Sequence, residues 1–137
     1  MNQVVYVSRG GNTKKIAETI ATAINASVSS VEQMQSLADV DILLVGISLY
    51  AGDIDKKMKN FLREIKPTQV KKVVVFGTSA TGKTGLDIVK QIMEPNGISV
   101  ADEEFYCKGS FLLANRGRPN DEDLEAAKAF VQQVVTK

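Results

Sequence analysis

VVYVSRGGNTKKIAETI, residues 4–20, reads as a buried strand, a glycine loop and an amphipathic helix in direct succession. QVVYVS (3–8) is an apolar run of strand length. In TKKIAETIATAI (13–24), Ile16, Ala17, Ile20, Ala21, Ala23 and Ile24 recur at helical spacing, and Asn12 stands where a cap belongs. The linking SRGGNT offers two glycines, two hydroxyls and backbone amides at a helix start. That suits a phosphate group, because helix N-terminal N–H groups and the helix dipole favour negative charge. The same features also make a plain glycine turn, so the loop alone leaves both readings open.

Working outward, strand and helix keep alternating. ASVSSV (26–31) is a weak strand, and EQMQSLAD has room for a short helical turn. DILLVGIS (41–48) is a continuous apolar run, as expected of a parallel strand covered on both faces. IDKKMKNFLREI (54–65) is a helix with Met58, Phe61, Leu62 and Ile65 inward, stopped before Pro67. VKKVVVFG (70–77) is a strand, GLDIVKQIM (85–93) a helix and ISVADEEFYC (98–107) the last strand. Asn120 caps EDLEAAKAFVQQVV (122–135), with Leu124, Ala127, Phe130, Val131 and Val134 facing in. This is the signature of one α/β domain over 1–137, a parallel sheet with helices on both faces. Ligands of such sheets bind at the carboxyl ends of strands where strand order reverses. The loops that matter are therefore 8–13, 48–53 and 77–85.

Bulk properties narrow the function. The 137 residues carry a formal net charge of +1, so no single-sign field draws in nucleic acid or an anionic membrane. The absence of histidine removes Ser-His and Cys-His catalysis and most zinc sites. A lone cysteine, Cys107, allows no internal disulfide and fits a reducing, cytoplasmic setting. The N-terminal MNQVVYVSRGGN does not read as a signal peptide. The longest apolar run, Ile42 to Ile47, is too short for membrane insertion. A monomer is expected.

GTSATGKT (77–84) fits the phosphate-binding pattern G-x-x-x-x-G-K-[ST] at Gly77, Gly82, Lys83 and Thr84. Read alone it predicts a P-loop nucleotide-binding protein. Its context disagrees: three strands precede it and one clear strand follows. ISVADE (98–103) is a poor source for the Mg²⁺-holding acid such a site needs.

The 4–20 stretch resembles the flavodoxin N-terminal signature, met by Val4, Val5, Tyr6, Ser8, Gly11, Thr13, Ala17 and Ile20. The resemblance extends through FYCKGSFLLANRGRPNDEDLEAAKAF (105–130), as in short bacterial family members. It implies a three-layer flavodoxin-like α/β fold, a five-stranded parallel sheet of order 2-1-3-4-5, and non-covalent FMN. By resemblance, Ser8, Gly10, Gly11, Asn12 and Thr13 bind the FMN phosphate, with Arg9 beside them directed to solvent. Gly10 departs from the family, where a threonine is usual. Ser48, Leu49, Tyr50, Ala51, Gly52 and Asp53 line the flavin, with Tyr50 stacking and the Gly52-Asp53 peptide beside N5. Thr78, Ser79, Ala80, Thr81, Gly82 and Lys83 follow its pyrimidine edge. The implied function is electron transfer between redox protein partners, a reductase and an acceptor. The implied alternative is an oxidoreductase acting directly on a quinone or porphyrinogen.

Two other chemistries are discarded. A receiver domain needs an acidic pair where Ser8-Arg9 stands and an Asp at Ser48. Cys107 and Arg116 are spaced C-x₈-R, not the C-x₅-R of a cysteine phosphatase. Lys56, Lys57, Lys59, Arg63 and Lys66 read as a solvated helix face favourable to the helix dipole rather than a docking face. A lysine near the pyrimidine edge would stabilise the anionic, fully reduced flavin by Coulomb attraction. Lys83→Ala is accordingly expected to make the second reduction potential more negative. A redox titration giving equal potentials in both proteins removes Lys83 from the flavin.

Overall fold

The computed structural model describes residues 1–8, 10–50, 52–79, 84–108, 117 and 119–136, with the side chains of Tyr50 and Lys108 outside that set. Among the described residues six strands and four α-helices follow in the order β1 (Asn2–Tyr6), α1 (Asn12–Ile24), β2 (Ser27–Ser30), β3 (Val40–Tyr50), β4 (Asp53–Ile54), α2 (Lys56–Arg63), β5 (Val70–Ser79), α3 (Leu86–Met93), β6 (Ser99–Lys108) and α4 (Asp121–Val135). Short 3-10 turns occupy Val31–Gln33 and Glu94–Asn96. The five long strands are parallel in the order β2-β1-β3-β5-β6, as expected, and the two-residue β4 pairs antiparallel with β3. None of the described helices is long and apolar enough to cross a membrane.

The apolar runs are continuous because alternate side chains enter two different cores. Val4, Leu44, Val74 and Phe76 pack with Ile16, Ile20, Ala127 and Val131 of α1 and α4. Val5, Leu43, Val45, Ile47, Val73 and Val75 pack with Met58, Leu62, Val89 and Met93 of α2 and α3. β3 and β5, at the centre, are buried on both sides along most of their length. β6 is one of the two edge strands and carries a bulge: Val73 pairs with Val100, but Val75 pairs with Glu104. Asp102, inside the bulge, takes a hydrogen bond from Lys90 of α3, which lowers the carboxyl's pKa.

Local details depart from the sequence reading. Gly11, at φ 85, takes the cap position of α1, so Asn12 begins the helix instead of capping it. The 54–65 helix is shorter, because Asp53 and Ile54 turn back onto β3 and Asp55 becomes the cap, accepting from Lys57 N–H. Asn120 caps α4 as expected and forms a capping box with Asp123.

Gly46 of β3 lies against Phe76 and Thr13, the latter from the first turn of α1. A Cβ there would lie 2.6 Å from Phe76 Cζ and 3.0 Å from Thr13 Cγ2. Gly46→Ala is expected to cost about 1–3 kcal/mol through overpacking. The measurement is a shifted urea midpoint at unchanged m-value.

Candidate functional site

The chain runs from β1 out to β2 at the edge, then returns to β3 on β1's other side, so strand order reverses between β1 and β3. At the carboxyl end of that junction the loop after β1, the β3–β4 hairpin and the end of β5 come together. Ser8 Oγ accepts a hydrogen bond from Gly11 N–H at 3.0 Å, which folds the first loop on itself. Gly10 and Gly11 are exposed, and a Cβ added to either would meet nothing within 4 Å. No side chain caps α1, and its first turn has no acid. By contrast, α2 is capped by Asp55, and α4 has a capping box with three acids in its first turn. The α1 N-terminus is thus the one of these three with neither a side-chain cap nor a first-turn acid, so its dipole favours an anion.

Beneath this loop three buried hydroxyls meet. Thr13 Oγ1 lies 2.5 Å from Ser48 Oγ and 3.1 Å from Thr78 Oγ1, and Ser48 and Thr78 are 3.4 Å apart. Thr13 is fully buried, Ser48 and Thr78 nearly so. The first turn of α1 is thereby fastened to the ends of β3 and β5.

The 48–53 segment is a hairpin rather than an open loop. Ser48, Leu49 and Tyr50 belong to β3; Leu49 pairs with Ile54 and Tyr50 with Asp53. Gly52, exposed at φ 80, supplies the left-handed residue that the turn requires. Asp53 is held twice: Oδ1 accepts from Ile54 N–H at 2.8 Å and Oδ2 from Lys59 Nζ at 2.7 Å. The lysine hydrogen bond, followed by the backbone one, lowers its pKa. Lys57 lies 3.6 Å from Glu32, so two of the α2 cations are paired within the protein.

The third segment begins as sheet. Gly77, Thr78 and Ser79 lie inside β5, paired with β3 and β6. A Cβ on Gly77 would sit 2.1 Å from the Ile47 carbonyl oxygen, so this glycine serves strand packing. The opening residues of the P-loop-like pattern are therefore strand. Ser79 Oγ is buried and without a protein partner, on the last residue of the central strand. Arg9, Ala51, Ala80, Thr81, Gly82 and Lys83, and the side chain of Tyr50, lie outside the described set.

Two residues that sequence reasoning did not select support this third segment. Tyr106 hydroxyl accepts from Gly85 N–H at 3.0 Å, fixing the start of α3, and burial pushes its phenol pKa up. Glu104 lies two residues earlier on the same strand face. Burial raises its carboxyl pKa, a hydrogen bond with Thr84 opposes the rise, and its Oε1 is buried without a partner. An acid and a tyrosine at i, i+2 in the last strand were the available signal.

A doubly wound α/β sheet with an open glycine loop at its switch point defines a class of ligand-binding domains. A family model described as a flavodoxin domain matches residues 3–112, and the chain belongs to the flavodoxin family. It is similar to an uncharacterized protein of Methanocaldococcus jannaschii, 27% identical, with 90% of each chain covered. It is also similar to the flavodoxin-like domain-containing protein BilS of Clostridioides difficile, 33% identical over 82% of this chain and 65% of that protein. Among solved structures, a flavodoxin from the domain Archaea superposes with a TM-score of 0.77 at 26% identity, covering 98% of this chain and 96% of that one.

Glu104 has a measurable signature. Its pKa is raised on folding, so its ionisation opposes the fold: stability is greatest below the unfolded carboxylate pKa and falls as pH rises through the folded one. Glu104→Gln is therefore expected to be more stable than the parent at neutral pH. That advantage should disappear below about pH 4, as followed by thermal denaturation across pH.

Proposed function

We propose that this protein binds FMN non-covalently and shuttles one or two electrons between a reductase and an acceptor protein, as a cytoplasmic monomer. The observation that carries the reading is the α1 N-terminus at the switch point: no side-chain cap, no first-turn acid, and two open glycines above it. In a chain of the flavodoxin family, that is the chemistry a phosphate monoester requires. The orphaned Ser79 Oγ at the end of β5 is a second fit, a buried hydroxyl needing a polar partner from outside the described residues.

In this reading Ser8, Gly10, Gly11, Asn12 and Thr13 hold the phosphate end. Ser48, Leu49, Tyr50, Ala51, Gly52 and Asp53, with Thr78, Ser79, Ala80, Thr81, Gly82 and Lys83, surround the ring. FMN supplies the redox chemistry, and the protein contributes binding, orientation and electrostatics. Lys59 neutralises Asp53, limiting the negative charge that the hairpin presents to the site. The single cysteine, Cys107, is buried, which agrees with a reducing compartment.

The purified protein is expected to show a flavin visible spectrum and, once stripped, to take up FMN stoichiometrically. Reduction by NAD(P)H should need a separate reductase. A colourless protein that ignores FMN and binds Mg-ATP overturns the proposal. Steady-state quinone reduction with NAD(P)H alone replaces the carrier by an enzyme.

A further inference from the structure

Three strands converge on Gly85, the residue that opens α3. A Cβ there would lie 2.8 Å from Ile47 Cδ1, 3.1 Å from Ile54 Cγ2 and 3.3 Å from the Tyr106 hydroxyl oxygen. Its φ of −112° is open to any residue, so lack of space is what calls for glycine. Ile47 belongs to β3, Ile54 to β4 and Tyr106 to β6. Within the sheet β4 and β6 are kept apart: β4 pairs with β3, β3 with β5 and β5 with β6. The Gly85 backbone bridges them over the core beneath α2 and α3, where Ile47 and Ile54 are buried and Tyr106 packs on them.

Both polar groups of Gly85 are taken. Its carbonyl accepts from Val89 N–H at 3.2 Å, which starts the helix, and its N–H donates to the Tyr106 hydroxyl at 3.0 Å. The second bond reaches 21 residues along the chain and fixes the glycine sideways. Phenylalanine at 106 would fill nearly the same space and leave a buried N–H without its acceptor. On the far side of Gly85, β4 is two residues long and pairs only with β3 among the described strands. Pairing that short is marginal by itself, so β4 depends on what packs against it. Gly85, seated by Tyr106, packs against Ile54, and Ile54 adjoins Asp53 of the candidate site.

We infer that Tyr106 is a positioning residue for the β4 side of the site: acting through Gly85 and Ile54, its hydroxyl seats β4 before a flavin binds. The ligand half of this inference rests on the FMN reading above. The test compares the parent, Tyr106→Phe, Ile54→Leu and the double variant. Ile54→Leu keeps the side-chain volume and removes the Cγ2 methyl that lies against Gly85. In apo-protein, Tyr106→Phe should shift the NMR amide signals of Asp53 and Ile54 and leave those of Ile16 and Val131, in the other core, in place. In fluorescence titrations, Tyr106→Phe should raise the dissociation constants of FMN and riboflavin about fivefold each, the equivalent of one neutral hydrogen bond. In the Ile54→Leu background the same change should have an effect under about twofold, because the contact it acts through is already gone. Unmoved Asp53 and Ile54 signals, or effects that multiply in full in the double variant, overturn the positioning role while leaving FMN binding intact. A parent protein that binds neither flavin overturns the FMN reading and the ligand half of this inference, and the apo-protein signals alone then decide whether Tyr106 seats β4.

Discussion

Both faces of a parallel sheet have to be covered, and the rest of this molecule follows from that constraint. β3 and β5 have no solvent face: their side chains alternate into two separate cores, one under α1 and α4, the other under α2 and α3. Each crossover must therefore bring a helix back over the sheet. Every such helix starts at the carboxyl edge of the strands, and polar groups gather along that edge. Hydroxyls, glycines and helix N-termini are concentrated there for a geometrical reason before any functional one.

Within that edge the elements are fastened unequally. Thr13, Ser48 and Thr78 lock α1, β3 and β5 together from beneath. Lys59 and Asp53 lock the β3–β4 hairpin to α2. Tyr106 holds the start of α3 through Gly85. Among the described residues, the buried side-chain atoms without a partner are the Ser79 hydroxyl and one oxygen of Glu104. The supports beneath this edge are satisfied internally, which holds it in place before anything binds.

The strand and helix order was legible because each apolar run has its own period, and periodicity is a local property. The Asn120 cap was legible for the same reason: its partner, Asp123, is three residues away. Asn12 misled as a cap because Gly11 adopts a left-handed conformation and moves the helix boundary back by one residue. The starts of GTSATGKT and SLYAGD differ from the sequence reading in a related way. Both looked like loops by composition, yet pairing carries β5 to Ser79 and β3 to Tyr50. Cross-strand hydrogen bonds override turn-like composition when neighbours exist on both sides.

The sequence by itself determined the α/β class and the succession of strands and helices, which rest on short-range patterns, while the strand order came from its resemblance to the flavodoxin family. Tertiary structure alone decided that Thr13, Ser48 and Thr78 share one hydrogen-bonded ring, since 35 and 65 residues separate Thr13 from its partners. It also decided that Gly77 packs against the Ile47 carbonyl within the sheet. The physical reason is common to both: a side chain's role is set by the atoms that reach it after the strands have paired, and no local pattern encodes those neighbours.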